Sequence, residues 1–177
     1  MKPLVIVATV ATVATGVAAL STGAADVVDR VMAVVNGNIV TQSDVYGALV
    51  FGLVTPAEGK ERLSSGLEEL IERELVLAEV NRYSPPEPSQ QQIDAMAEQM
   101  RARFASPDAY RRALEANGYT DDRVRAAARD TIRIQAYVDQ RFGASLRPEE
   151  RAAVVAQWKA GLRRRAEIAI QYQPAAK

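Results

Sequence analysis

The chain has 177 residues, with 22 basic and 22 acidic side chains and neither histidine nor cysteine. That balance offers no global basic field for nucleic acid. The missing imidazoles and thiols exclude disulfides, thiol nucleophiles, histidine bases and the usual zinc ligands. The length suits one domain or one domain with appendages.

Residues 1–25 stand apart. Met1 and Lys2 give a short positive start, Leu4 to Leu20 carry no charge, and small residues follow at Gly23 and Ala25. This is the pattern of a cleavable secretory signal, with cleavage expected after Ala24 or Ala25. A retained membrane helix is the competing reading. The apolar run is near the lower limit for a span and is diluted by Thr and Gly. Lipid anchoring at this site would need a cysteine, which the chain lacks. Residues 26–177 are therefore expected to act as one domain outside the cytoplasm, with no stable membrane insertion after cleavage.

"VMAVV" at Val31 to Val35 reads as a strand, Asn36-Gly37 as a tight turn, and "NIVT" as the returning strand. Thr41 looks like a helix N-cap with Asp44 as its box partner, opening a helix from about Gln42 to Val54. Pro56 and Gly59 break it. A second helix, about Lys60 to Arg82, places Leu63, Leu67, Leu70, Ile71 and Leu77 at helical spacing, with Glu68, Glu69, Glu72, Arg73 and Glu79 on its other side. The prolines of "SPPEP" end it. Ser89 with Gln92 forms the next capping box, before a stripe of Ile93, Met96, Met100 and Phe104. Ser106 and Pro107 restart the chain, and Asn117-Gly118 stops it.

Thr120 starts a long helix with acid in its first turn. Val124, Ala128, Thr131, Ile134, Val138 and Phe142 lie roughly on one side of it. Pro148 opens a last helix with Val155, Trp158 and Leu162 inward and "RRR" at its end, where cations complement the helix dipole. "AEIAIQY", Ala166 to Tyr172, then alternates as a half-buried strand. An isolated hairpin is marginal in water, so this strand is its expected partner. The predicted class is mainly α: a helical domain whose N-terminal hairpin and C-terminal strand form one small antiparallel sheet.

No catalytic set emerges. A serine nucleophile has no histidine base. The carboxylate pairs, such as Glu68-Glu69 and Asp121-Asp122, sit at helix starts or solvent faces. No metal or cofactor is implied, and no phosphate-binding glycine loop is present. The informative feature is apolar. The first helix has no polar side chain after Asp44 except Tyr46. Val45, Leu49 and Leu53 fall on one face, with Phe51, Val54 and Gly47 nearly opposite. A surface helix should have a polar face. Either both faces are buried, or one lines a groove; the same choice applies to Met96, Met100 and Phe104.

Taken together, "VDRVMAVVNGNIVTQSDV", "LEELIERELVLAEVNRY" and the stretch from "PSQQQIDAMAEQM" through "LEANGYT" to "YVDQRF" resemble the N-terminal domain of SurA-type periplasmic chaperones. The likeness covers about Val28 to Phe142, and residues 148–172 look like that family's C-terminal return segment. It implies an apolar cradle, like that of trigger factor, holding unfolded or partly folded outer-membrane proteins. The family usually carries an inserted parvulin-type prolyl isomerase domain. Here Phe142 passes through "GASLR" straight to Pro148, which leaves no room for one.

The expected function is therefore a non-enzymatic, ATP-independent periplasmic holdase. Its clients would dock on apolar side chains left over after core packing: Phe51, Val54, Met100, Phe104 and Tyr137. The alternatives are an envelope assembly module that binds one partner or dimerises, and, against the missing insertion, a peptidyl-prolyl isomerase.

Overall fold

A computed structural model describes residues 29–143 and 147–173. The expected signal segment lies outside the described residues. Strands β1 (Val31–Val35) and β2 (Asn38–Thr41) form the hairpin. Asn36 and Gly37 join them at φ values of 49° and 84°, the left-handed pair that a two-residue turn requires. Val35 pairs with Asn38 and Val34 with Ile39, and the register shifts between Val31 and Ala33. Met32 is the extra residue of that bulge, and its side chain is fully buried.

Strand β3 (Ile168–Ile170) lies antiparallel on the other side of β1, giving the order β2-β1-β3. The two ends of the chain thus close one sheet, as the alternation of "EIAIQY" predicts. The Asn36 N–H donates to the Glu167 carbonyl at 2.8 Å, and the Gln171 and Tyr172 N–H groups donate to the Met32 carbonyl at 2.8 and 3.1 Å. The strand is shorter than the alternating stretch, and it sits at an edge with Ala169 and Ile170 exposed.

Helix α1 (Gln42–Val50) starts at the Thr41–Asp44 capping box. It ends earlier than the predicted Val54. Gly52 takes φ of 72°, and the Leu53 N–H reaches back to the Ala48 carbonyl at 2.8 Å. That is the six-to-one closure of a glycine C-terminal motif, which the unbroken apolar pattern concealed. Helix α2 (Arg62–Tyr83) is capped by the Glu61 carboxylate on the Leu63 and Ser64 N–H groups and stops at Ser84, before the prolines. Helices α3 (Gln90–Arg101), α4 (Pro107–Ala116) and α5 (Asp121–Phe142) begin at Ser89, Ser106 and Thr120, the three predicted caps. Helix α6 (Pro148–Arg165) leads into β3.

Two cores result. The first lies under the sheet and joins Met32, Val35, Val40, Leu49, Ile71 and Val80 with Tyr137 and Leu162. The second gathers Phe51, Met100, Tyr110, Leu114, Tyr119 and Val124. Helix α1 stands between them, and Leu53 packs against both. Val45, Ala48 and Leu49 enter the first core. On the other side Gly47 lies so close to the Tyr119 ring that a Cβ there would overlap it. This is why α1 has no polar face: both faces are covered, and only Tyr46 reaches well into solvent, at 43% exposure.

Candidate functional site

The five expected client-binding side chains are packed rather than left over. Phe51 is 1% exposed. Its ring stacks on Tyr119 at 4.9 Å and meets Phe104 at 5.6 Å and the edge of Tyr110 at 6.2 Å. Met100 is buried in the same core, and Phe104 is half-buried against it. Val54 and Tyr137 belong to the first core. The early turn at Gly52 accounts for Phe51 and Val54, because it folds Val54 back toward the first core and leaves Phe51 in the second. Tyr137 is buried because α5 presents a different side to each core. Near its start, Val124 and Ala128 are inward. Further along, Arg133 and Tyr137 are inward, and Ile134 and Val138 are only half-buried. The predicted inward stripe thus holds for the first half of α5 and rotates away in the second.

Ile134 and Val138 line a groove. One cleft of about 280 Å³ lies between β2, α2 and α5, bordered by Ile39, Leu53, Leu70, Arg73, Glu74 and Ala127. A second, also about 280 Å³, adjoins it through Leu53 and Arg73 and adds Val54, Val76, Ile134 and Val138. A third, about 670 Å³, shares Val138 and opens between α5 and α6 at Ala152 and Val155. The shared residues set these clefts side by side along α5, in a furrow that the Arg73 side chain crosses where it reaches from α2 to α5. Of the five expected residues, Val54 alone borders it; Tyr137 instead borders a separate cleft with Tyr83 and Pro85.

The floor and rim are charged. Arg73 donates to the Thr131 hydroxyl at 2.9 Å and to the Ala127 carbonyl at 3.3 Å, tying α2 to α5. Burial pushes its pKa down, while Asp130 and Glu74 act against that shift. Burial pushes the Glu74 carboxyl up, with Arg73 opposing. At one end Arg123 pairs with Asp44, beside the middle cleft Lys159 pairs with Glu72 at 3.3 Å, and at the far end Arg151 pairs with Asp139. Away from the furrow's lining, where α5 meets the end of α2 and the proline loop, Arg133 is 6% exposed. It donates to Asn81 at 2.7 Å and lies 3.5 Å from Glu87 and 3.7 Å from Asp130.

Sequence reasoning placed Arg73 on the solvent side and passed over Glu74. The signal was there: both fall between Leu70 and Leu77, at the spacing of the apolar stripe itself. Arg133 left no comparable trace, because its burial depends on α2 and the proline loop meeting α5.

The furrow combines half-buried aliphatic side chains with paired charges and holds no nucleophile-base pair. Among the described residues no group of three acidic side chains could hold a metal ion, and no helix is long and apolar enough to cross a membrane. No family model matches the chain, and no curated protein matches its sequence.

Proposed function

We propose that this protein is a non-enzymatic, ATP-independent periplasmic chaperone that shields extended stretches of unfolded polypeptide, outer-membrane proteins among them, in the furrow along α5. The observation that carries this reading is the alignment along α5 of three adjoining clefts, which share Leu53, Arg73 and Val138. An elongated furrow that sets aliphatic side chains beside paired charges suits a chain segment better than a compact metabolite. The resemblance to SurA-type chaperones supports the same class. The direct passage from α5 at Phe142 to α6 at Pro148 supports a holdase without an isomerase domain.

The test is suppression of aggregation of a denatured outer-membrane protein. Ile134→Ser combined with Val138→Ser is expected to weaken suppression while lowering the melting temperature only slightly, since both side chains are half-buried. Full suppression by that double variant would remove the furrow from the function. Acceleration of a proline-limited refolding reaction at catalytic protein concentration would replace the holdase with an isomerase.

A further inference from the structure

The sheet that closes the chain has a free margin at β3. The Asn36–Glu167 and Met32–Gln171 hydrogen bonds, with the pairing of Val34 to Ala169, show which β3 groups face β1. Backbone groups alternate in direction along an antiparallel strand. Glu167, Ala169 and Gln171 therefore turn theirs toward β1. Ile168 and Ile170 turn their N–H and C=O groups outward. Among the described residues nothing bonds to those four groups.

Natural edges are commonly blunted by lysine, proline or a bulge on the strand itself. Ile168, Ala169 and Ile170 include no lysine or proline, Ile170 is 45% exposed and Ala169 is exposed; a bulge comes only past them, where the Gln171 and Tyr172 N–H groups share the Met32 carbonyl. Charge gathers just before it. Arg163 is engaged by Glu68 at 2.7 Å. Arg164 and Arg165 are exposed and pair with no carboxylate among the described residues. Their guanidinium groups fold back beside Gly161 in the last turns of α6, and Arg165 also borders a cleft with Asn36, Glu79 and Arg82; both are long, exposed side chains a few residues before the strand, so they meet an anion at its start by swinging toward it.

We infer that the free edge of β3 takes a fourth, extended strand from a client polypeptide whose side chains alternate between apolar and polar and which carries an acidic residue at the end near Arg164 and Arg165. The backbone groups specify an extended chain, because only a strand offers donors and acceptors at that two-residue repeat. Ile168 and Ile170 specify apolar partners on one face. The arginines specify the acidic end. A second copy of this chain is the poorer occupant: a three-residue edge pairing with itself falls far short of the roughly 1,200 Å² that a stable interface buries. A long client, by contrast, adds contacts in the furrow to those at the edge, and each site raises its effective concentration at the other. The partner's identity rests on the holdase reading above.

The test uses a short fluorescent peptide of alternating valine and threonine with two aspartates at one end. Ile170→Pro removes an outward N–H and leaves the β1 ladder intact, so the fold should tolerate it. It should weaken peptide binding about tenfold, the scale of a lost hydrogen bond or two. The same loss is expected in the wild-type protein when the peptide is N-methylated on the amides that face β3, which needs no variant to fold. Arg164→Glu with Arg165→Glu should weaken the aspartate peptide and spare one ending in serine. Unchanged affinity for the N-methylated peptide, or for a folded Ile170→Pro variant, overturns the inference. So does a concentration-dependent dimer that Ile170→Pro abolishes, since the edge would then belong to a second copy. Aggregation suppression is read separately. Suppression without peptide binding sinks the edge and keeps the holdase; peptide binding without suppression keeps the edge as a strand-docking site and sinks the holdase.

Discussion

The core under the sheet draws on residues from Met32 to Leu162, whereas the core around Phe51 comes, Phe51 apart, from residues between Ala97 and Ala128. The first is a closure. Its sheet is tied by contacts such as the Glu167 N–H to the Asn36 side-chain oxygen, 131 positions apart, at 3.0 Å. The second is local: capped helices follow one another, and α3 packs on α5. Local contacts form at low entropic cost, and distant ones only after most of the chain is ordered. The comparison teaches that the two halves should fail differently. The sheet should depend on the last strand, and the helical unit on the one fully buried ring it takes from outside, Phe51.

The largest effect should come from deleting residues 166–177. That removes β3, the four hydrogen bonds to Asn36 and Met32 and the packing of Ile168 and Tyr172 on the first core. It also exposes a second margin of a hairpin that is marginal by itself. The truncated chain is expected to lose its cooperative thermal transition, followed by circular dichroism, while keeping much of its helical signal. A truncated chain with an unchanged melting temperature would refute closure by the chain ends.

Next comes Phe51→Ala. Deleting a fully buried ring costs about 3–5 kcal/mol, read as a shift of the urea midpoint. A loss below about 1 kcal/mol would mean the second core closes without its plug, and would return Phe51 to the surface candidates.

Much of this division was legible from local signals. The Asn-Gly turn, the Thr41, Ser89, Ser106 and Thr120 caps and the alternating last strand each act within a few residues, and each appears where the sequence places it. The pairing of the two ends followed from a physical need, since the hairpin required a neighbour. The site was less legible. Which side of an apolar helix is covered depends on where distant elements land. A Gly in an unbroken apolar run does not show that the chain turns back, so Phe51 and Val54 looked like surplus. The furrow is lined by Ile134 and Val138 because α5 passes from one core to the other, a crossing that no single helical period encodes.

A smaller effect tests the joint between the halves. Arg133→Ala removes the bond to Asn81 and leaves that amide without its α5 partner. The expected cost is about 1–3 kcal/mol, the range for orphaning a buried polar group. Arg133→Met should recover part of it by restoring the apolar stem. Equal stability of all three proteins in urea would show that the buried arginine does not hold α2 to α5.

The smallest effect is the most specific to the furrow. Burial raises the Glu74 carboxyl above its ordinary value of 4.5, with Arg73 opposing. An unfolded glutamate loses its proton near that value, while the folded one holds it to higher pH. Stability therefore falls as the pH rises from about 4.5 through the folded pKa, and below that window both states are protonated and the penalty is absent. Glu74→Gln should match the wild type at about pH 4 and become the more stable protein as the pH approaches about 7. The difference should be modest, because the side chain is only half-buried and solvent screens its charge. Urea midpoints of the two proteins across that range measure it. A wild type that gains on Glu74→Gln with rising pH would mean that attraction to Arg73 outweighs burial, and that the furrow floor is held by an ion pair rather than carrying an unanswered charge.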